Sequence, residues 1–177
     1  MRQVVNHLID RGYRTVAYVS GSSGATQTIR RNALLTALAE RRRPKPIAFE
    51  ADDVDGGRLA AAAQQIRRRR PEVVVCYDDK TALNLVDEMR TAGLSIPADV
   101  GVVGFDDIPF AAISNPRLTT VSQRSDELGR LCVDFLQSAL NGKGLPRSAL
   151  MPVTLVVRET TPGPRRPHSQ RARPQQA

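Results

Sequence analysis

The chain is poor in histidine, cysteine and aromatic residues, and it has no long apolar run. Only His7 and His168, and only Cys76 and Cys132, are present. They are too few and too scattered to form a His/Cys metal cluster, so no metal site is expected. Cys76 follows Val73-Val74-Val75 in what reads as a buried strand, and Cys132 falls on the apolar side of a helical pattern. Both are therefore expected as buried thiols rather than as a disulfide. No stretch approaches the roughly 18 apolar residues that span a bilayer, and the N-terminus carries no signal-peptide pattern. No membrane partner and a cytoplasmic location are the resulting expectations. A G-x-S-x-G elbow, a Walker-type glycine loop and a G-x-G-x-x-G turn are all missing. Neither a catalytic residue nor a cofactor is expected.

What is present suits an ordinary globular domain: 177 residues, 41% hydrophobic and 25% charged. The formal charge of +8 invites a nucleic-acid reading. Half of that excess lies in the tail, where Arg165, Arg166, Arg171 and Arg173 stand with no acidic residue. That Pro/Arg/Gln-rich segment, residues 162–177, reads as disordered. The runs Arg41–Arg43 and Arg67–Arg70 each end a helical pattern just before a proline. There they complement the carbonyl end of the helix dipole, and the expectation is solvated helix ends rather than a nucleic-acid patch.

From Arg2 to Thr161 the apolar pattern alternates between helical and strand periods. Helical stretches use Val4, Val5, Leu8 and Ile9; then Ile29, Ala33, Leu34, Ala37 and Leu38; then Leu59, Ala63 and Ile66; then Leu83, Val86 and Met89. Strands are expected over Thr15–Val19, Ile47–Phe49, Glu72–Tyr77, Val100–Phe105, Leu118–Val121 and Val153–Val157. Gly12 and Gly93 read as helix stops, and Asp79 as the cap of a helix. This alternation predicts an α/β fold with a mostly parallel sheet flanked by helices.

Ligands of such sheets sit beyond the C-terminal strand ends. The residues there are Ser20–Gly24, Asp52-Asp53-Val54-Asp55, Asp78-Asp79 and Asp106-Asp107. Carboxylates in these places could hold a divalent cation, act as acid, base or phosphoryl acceptor, or accept hydrogen bonds from a polyhydroxylated ligand. Asp78 and Asp106 are the stronger candidates, each being the first polar residue after a buried strand. Asp79 and Asp107 are expected only to cap or stabilise the next segment of chain. Arg30 would add a complementary fork of donors.

Five segments in order resemble one family. They are HLIDRGYRTVAYVSG (His7–Gly21), the TIRRNALLTAL segment around Arg30, CYDDKTALNLVDEMRTAGLSIPADVGVVGFDDIP (Cys76–Pro109), NPRLTTVSQ, and LVVRETT (Leu155–Thr161). Together they are similar to the effector domain of LacI/GalR-type bacterial transcription regulators. The resemblance implies a periplasmic-binding-protein-like type I fold, of which residues 1–161 would be mainly the C-terminal lobe. It further implies a small-molecule effector (a sugar, nucleobase or related metabolite), contacted by Arg30, Asp78, Asp106 and Gln123. A homodimer is implied as well, with operator DNA reached only through an N-terminal helix-turn-helix head that this chain does not contain. Asp78 stands where the family usually has Asn, so an acceptor-only carboxylate replaces an amide, which favours hydroxyl-rich or cationic ligands. The acidic loop at Asp52-Asp53 stands where many relatives place an aromatic residue.

By the same resemblance the chain reads as truncated or mis-started, and residues 125–140 form a helix that packs in relatives on the other lobe's sheet. Leu128, Leu131, Phe135, Leu136 and Leu140 would each be worth roughly 1.5–3 kcal/mol when buried. That helix is expected to dock on the remaining lobe, to pair with another chain, or to be mobile and aggregation-prone. Two alternative functions stand beside the sensor reading. One is a metal-dependent phosphotransfer or hydrolase domain built on the aspartate pairs, and the other is a truncated periplasmic sugar-binding protein.

Overall fold

Helix and strand alternate along the chain because apolar residues recur first at helical and then at strand spacing. The computed structural model describes residues 1–20, 24–50, 57–142 and 150–164. Within them the order is α1 (Arg2–Asp10), β1 (Val16–Ser20), α2 (Ala25–Glu40), β2 (Ile47–Glu50), α3 (Gly57–Arg69) and β3 (Val73–Cys76). There follow α4 (Asp79–Thr91), β4 (Gly101–Val103), α5 (Pro109–Ile113), β5 (Thr120–Ser122), α6 (Ser125–Leu140) and β6 (Thr154–Val156). Strands β2, β1, β3 and β4 lie side by side in that order, all parallel. The chain leading into β5 extends the sheet beside β4, through parallel bridges from Val103 to Thr119 and from Asp106 to Ser122. A short antiparallel pair, β5 with β6, is appended there.

Side chains alternate across the pleat and so feed two cores. Ala17, Val19, Val74, Cys76 and Val102 face α3 and α4, meeting Leu59, Ile66, Leu85 and Met89. Tyr18, Val73, Val75 and Val103 face α1 and α2, meeting Val4, Leu8, Leu34 and Leu38. Strands buried on both faces read as unbroken apolar runs, and the VVVC of β3 is one. Gly12 and Gly93 follow α1 and α4 with φ of +88° and +83°, the left-handed turn that a glycine at a helix end takes without strain.

Three sequence expectations need correction. Cys132 is exposed rather than buried, whereas Cys76 is buried as expected. On α2 the buried residues are Leu34, Ala37 and Leu38, while Ile29 and Ala33 face outward. Helix α5 has no counterpart in the apolar pattern, since five residues are too few to display a helical period. Cys132 and α6 share one cause: no residue of α6 is buried, Leu131 and Phe135 are half-covered, and Leu136 and Leu140 are 61% and 79% exposed. Among the described residues, α6 therefore does not dock its apolar side on the lobe. Residues 21–23, the acidic loop Asp52–Asp55 and residues 165–177 of the tail lie outside the described residues.

Candidate functional site

The C-terminal ends of β1, β3 and β4 open on one edge of the sheet, and α2 begins beside it. Arg30 lies in the second turn of α2 and reaches across this edge. Its Nη1 donates to the Tyr77 carbonyl at 2.9 Å, and its Nη2 donates to Asp106 Oδ1 at 2.9 Å. The guanidinium also stacks on Phe105, with Cζ 3.9 Å from the ring centroid, and lies 4.9 Å from that of Tyr77. A planar cation with a rigid fork of donors suits such a slot, where one face meets a ring while the edge makes hydrogen bonds.

Gln123 Nε2 donates to the same Oδ1 of Asp106. Thus Arg30, Asp106 and Gln123, far apart in sequence, meet on one carboxylate oxygen. The ion pair is largely enclosed, with side-chain exposures of 12% for Arg30 and 30% for Asp106. Burial pushes the Asp106 carboxyl above the usual carboxylate range, and the charge of Asp78 adds to that. The Arg30 cation and the Gln123 hydrogen bond act in the opposite sense.

Asp78 has a different local task from the one expected. It is Asp78, not Asp79, that caps α4, its Oδ1 accepting from the Thr81 amide at 2.7 Å. A half-buried carboxylate at this helix start gains from the amide end of the dipole while facing the site. Asp79 is instead buried within the lobe. Its Oδ1 accepts from the Thr120 hydroxyl and its Oδ2 from the Ile108 amide at 2.9 Å. Burial raises its carboxyl too, and those two hydrogen bonds pull it back.

Asp79 explains how the loop after β4 keeps its shape. Asp106 and Asp107 have φ of +117° and +59°, backbone states uncommon for residues with a side chain. Such states persist where the surroundings over-determine them. Asp106 N donates to Val121 O at 2.9 Å, and Asp79 holds the Ile108 amide. Arg158 Nη2 donates to Asp107 Oδ1 at 2.7 Å. Gly104 gives Asp79 its room, because a Cβ there would lie 2.0 Å from Asp79 Oδ1.

Sequence reasoning did not single out Phe105, Tyr77, Thr120 or Arg158 as site or support residues. Phe105 and Tyr77 carried a weak signal, each being an aromatic immediately before a candidate aspartate. Arg158 carried none, since its partner is 51 positions away. Among the described residues, no group of three or more His, Cys, Asp or Glu could hold a metal ion. No helix there is long and apolar enough to cross a membrane.

Residues 5–161 match the family described as "Periplasmic binding protein-like domain". The chain is 33% identical over 170 residues to the HTH-type transcriptional repressor MelR of Bacillus subtilis (strain 168), covering 90% of this chain and 49% of that protein. It is 31% identical over 160 residues to the ribose operon repressor of Haemophilus influenzae, covering 86% of this chain and 48% of that one. It thus spans about half the length of these relatives. A solved structure of the dimeric Lac repressor with an 11-residue C-terminal deletion superposes with a TM-score of 0.82 at 29% identity, covering 93% of this chain and 61% of its own. The edge of a parallel sheet that carries Arg30, Asp106 and Gln123 is therefore part of a periplasmic-binding-protein-like effector domain, and the chain belongs to the LacI family of transcription regulators.

Proposed function

We propose that the chain senses a small hydroxyl-rich metabolite, a sugar or a close chemical relative, at the edge formed by Arg30, Asp78, Asp106 and Gln123. The observation that carries this reading is the convergence of Arg30 and Gln123 on Asp106 Oδ1. Donors already fixed on one oxygen hold the carboxylate in a single orientation, and Oδ2 is left to accept from a ligand hydroxyl. Asp78, a carboxylate where an amide would both donate and accept, extends the demand for ligand donors. One of the relatives is named for the ribose operon, which accords with a sugar.

On this reading the protein works in the cytoplasm, is not an enzyme, and takes part in regulating transcription by a population shift that ligand binding biases. DNA would be contacted specifically by a head outside the matched region. A homodimer fits a second feature. Phe110 and Ile113 on α5 are 65% and 75% exposed beside an apolar groove lined by Leu83 and Val86. Exposed side chains of that size beside a groove suit a second copy of the chain, and the superposed relative is described as dimeric.

Calorimetric titration with a panel of pentoses, hexoses and disaccharides tests the reading. A saturable response to at least one of them, abolished by Asp106→Asn and by Arg30→Met, is the expected result. Silence across the panel, together with a saturable and Asp106-dependent response to magnesium, would favour the phosphotransfer alternative instead.

A further inference from the structure

The sheet has a second edge, where every strand starts. Because β2, β1, β3 and β4 are parallel and in register, the segments before them reach that edge together. Arg11 and Arg14 lie between α1 and β1. The Arg41–Arg43 run and Lys45 lie between α2 and β2. The Arg67–Arg70 run closes α3 before β3. Arg43 is half-buried and the others are exposed. Two runs far apart in sequence thus come to the same edge, at the ends of helices on opposite faces of the sheet and with β1 between their strands.

Helix-end compensation does not account for so many cations. The carbonyl end of a helix carries about half a negative charge, whereas α3 alone presents four consecutive arginines. Beside Asp10, which closes α1, three acids at this edge are engaged. Glu40 pairs with Arg2 at 2.9 Å, Glu72 accepts from the amides of Arg14 and Thr15, and Asp99 accepts from the Ser95 amide at 2.8 Å. Among the described residues, Arg42, Arg43 and Arg67–Arg70 form no ion pair. Beside them a groove opens between the ends of α3 and α4, lined by Arg67, Arg70, Pro71, Leu94 and Asp99.

We propose that this edge binds the phosphate backbone of duplex DNA without regard to sequence. Guanidinium forks match phosphate oxygens two at a time, and here they stand on rigid helix ends rather than on a flexible segment. A fixed array suits the fixed phosphate spacing of a duplex better than it suits a pliable acidic peptide. Single strands gain little here, because among the described residues the edge offers no exposed aromatic side chain on which a base could stack. Backbone-only contact carries no sequence information, so this contact is separate from operator recognition and from the effector site at the opposite edge.

Fluorescence anisotropy of the full chain with a labelled mixed-sequence duplex of about two helical turns, in rising potassium chloride, tests the proposal. The logarithm of affinity is expected to fall linearly with the logarithm of salt, with a slope of about −4 to −6. Neutralising Arg67, Arg68 and Arg69 to Gln, or separately Arg41, Arg42 and Arg43, should lower low-salt affinity about tenfold or more and flatten the slope by about 2 to 3. The four-site change Arg165→Gln, Arg166→Gln, Arg171→Gln and Arg173→Gln should leave most of the binding. A flat salt dependence of the unaltered chain overturns the proposal. So does complete loss on neutralising the four tail arginines, or polyglutamate competing better than unlabelled duplex, which would assign the edge to an acidic protein. If a triple variant loses its cooperative thermal transition, the single change Arg68→Gln reads the same slope.

Discussion

The two edges of the parallel sheet carry opposite charge and manage it differently. At the C-terminal edge a cation and a carboxylate are sunk together, stacked on Phe105 and tied to Gln123, beside the aspartates that start α4 and follow β4. At the N-terminal edge, arginines stand in water around the helix ends. Parallel topology sets the sign, since amide ends of helices favour acids and carbonyl ends favour bases. Burial sets the character. A charge taken out of water must be matched in direction and distance, whereas a solvated one needs only proximity. On the proposals above, the first edge suits one small ligand in one orientation, and the second a diffuse partner.

The largest effect should come from Gly104→Ala. Its Cβ would press on Asp79 Oδ1, which is fixed by the Thr120 hydroxyl and the Ile108 amide. Overpacking of this kind costs about 1–3 kcal/mol, and a backbone-fixed clash this close belongs at the upper end, measured as a shift in the urea midpoint. Adding Asp79→Ala should recover part of that loss, and strict additivity in the double-mutant cycle would break the assigned contact.

Arg30→Met comes next. It leaves Asp106 partly buried without its cation, at a cost of about 1–3 kcal/mol and with loss of effector binding in calorimetry. At the other edge, the pH dependence of His7 should be smaller. Its Nε2 lies 2.8 Å from Thr161 Oγ1, and burial, helped by the Arg11 charge, holds the imidazole below its ordinary value of 6.5. The unfolded chain therefore binds a proton more readily than the native one. This group contributes stability above pH 6.5, and that contribution is lost as the pH falls through the unfolded value toward the lowered native one. Urea midpoints for His7→Gln should lack this component. Asp79 works with the reverse sign, since its native carboxyl is raised and acidification through that range favours the folded state.

Least is expected of Arg68→Gln, which should change stability by no more than about 0.5 kcal/mol. A large change would mean that the basic edge is structural after all. Beyond the acidic edge, α6 gives a related measure. Replacing Leu136 and Leu140 by Ser should also barely move the urea midpoint, yet it should lower hydrophobic-dye binding and self-association. A chain that binds no dye before substitution would show that α6 is covered in solution.

Much of the lobe was legible because β-branched runs and helical apolar spacing are local properties. Val73–Val75, Leu59 with Ile66, and the stops at Gly12 and Gly93 follow from neighbours within a few positions. Asp78 and Asp79 show where that reading ends. Two adjacent identical residues differ only in which way the chain turns them: the cap expected of Asp79 is Asp78, and Asp79 is buried as the support of the loop after β4. The outward turn of Ile29 and the exposure of Cys132 have the same origin, because apolar spacing tells which residues share a face but not whether anything covers it.

The sequence alone determined the alternation of elements, hence a parallel sheet whose strand ends hold the polar loops, and its ordered segments marked the family. Tertiary structure decided the rest. It brought Arg30, Asp106 and Gln123 onto one oxygen, and Arg158 to Asp107, through pairings that no local spacing encodes. It also placed the Arg41–Arg43 and Arg67–Arg70 runs at one edge, because parallel strands bring all their starting ends to the same side.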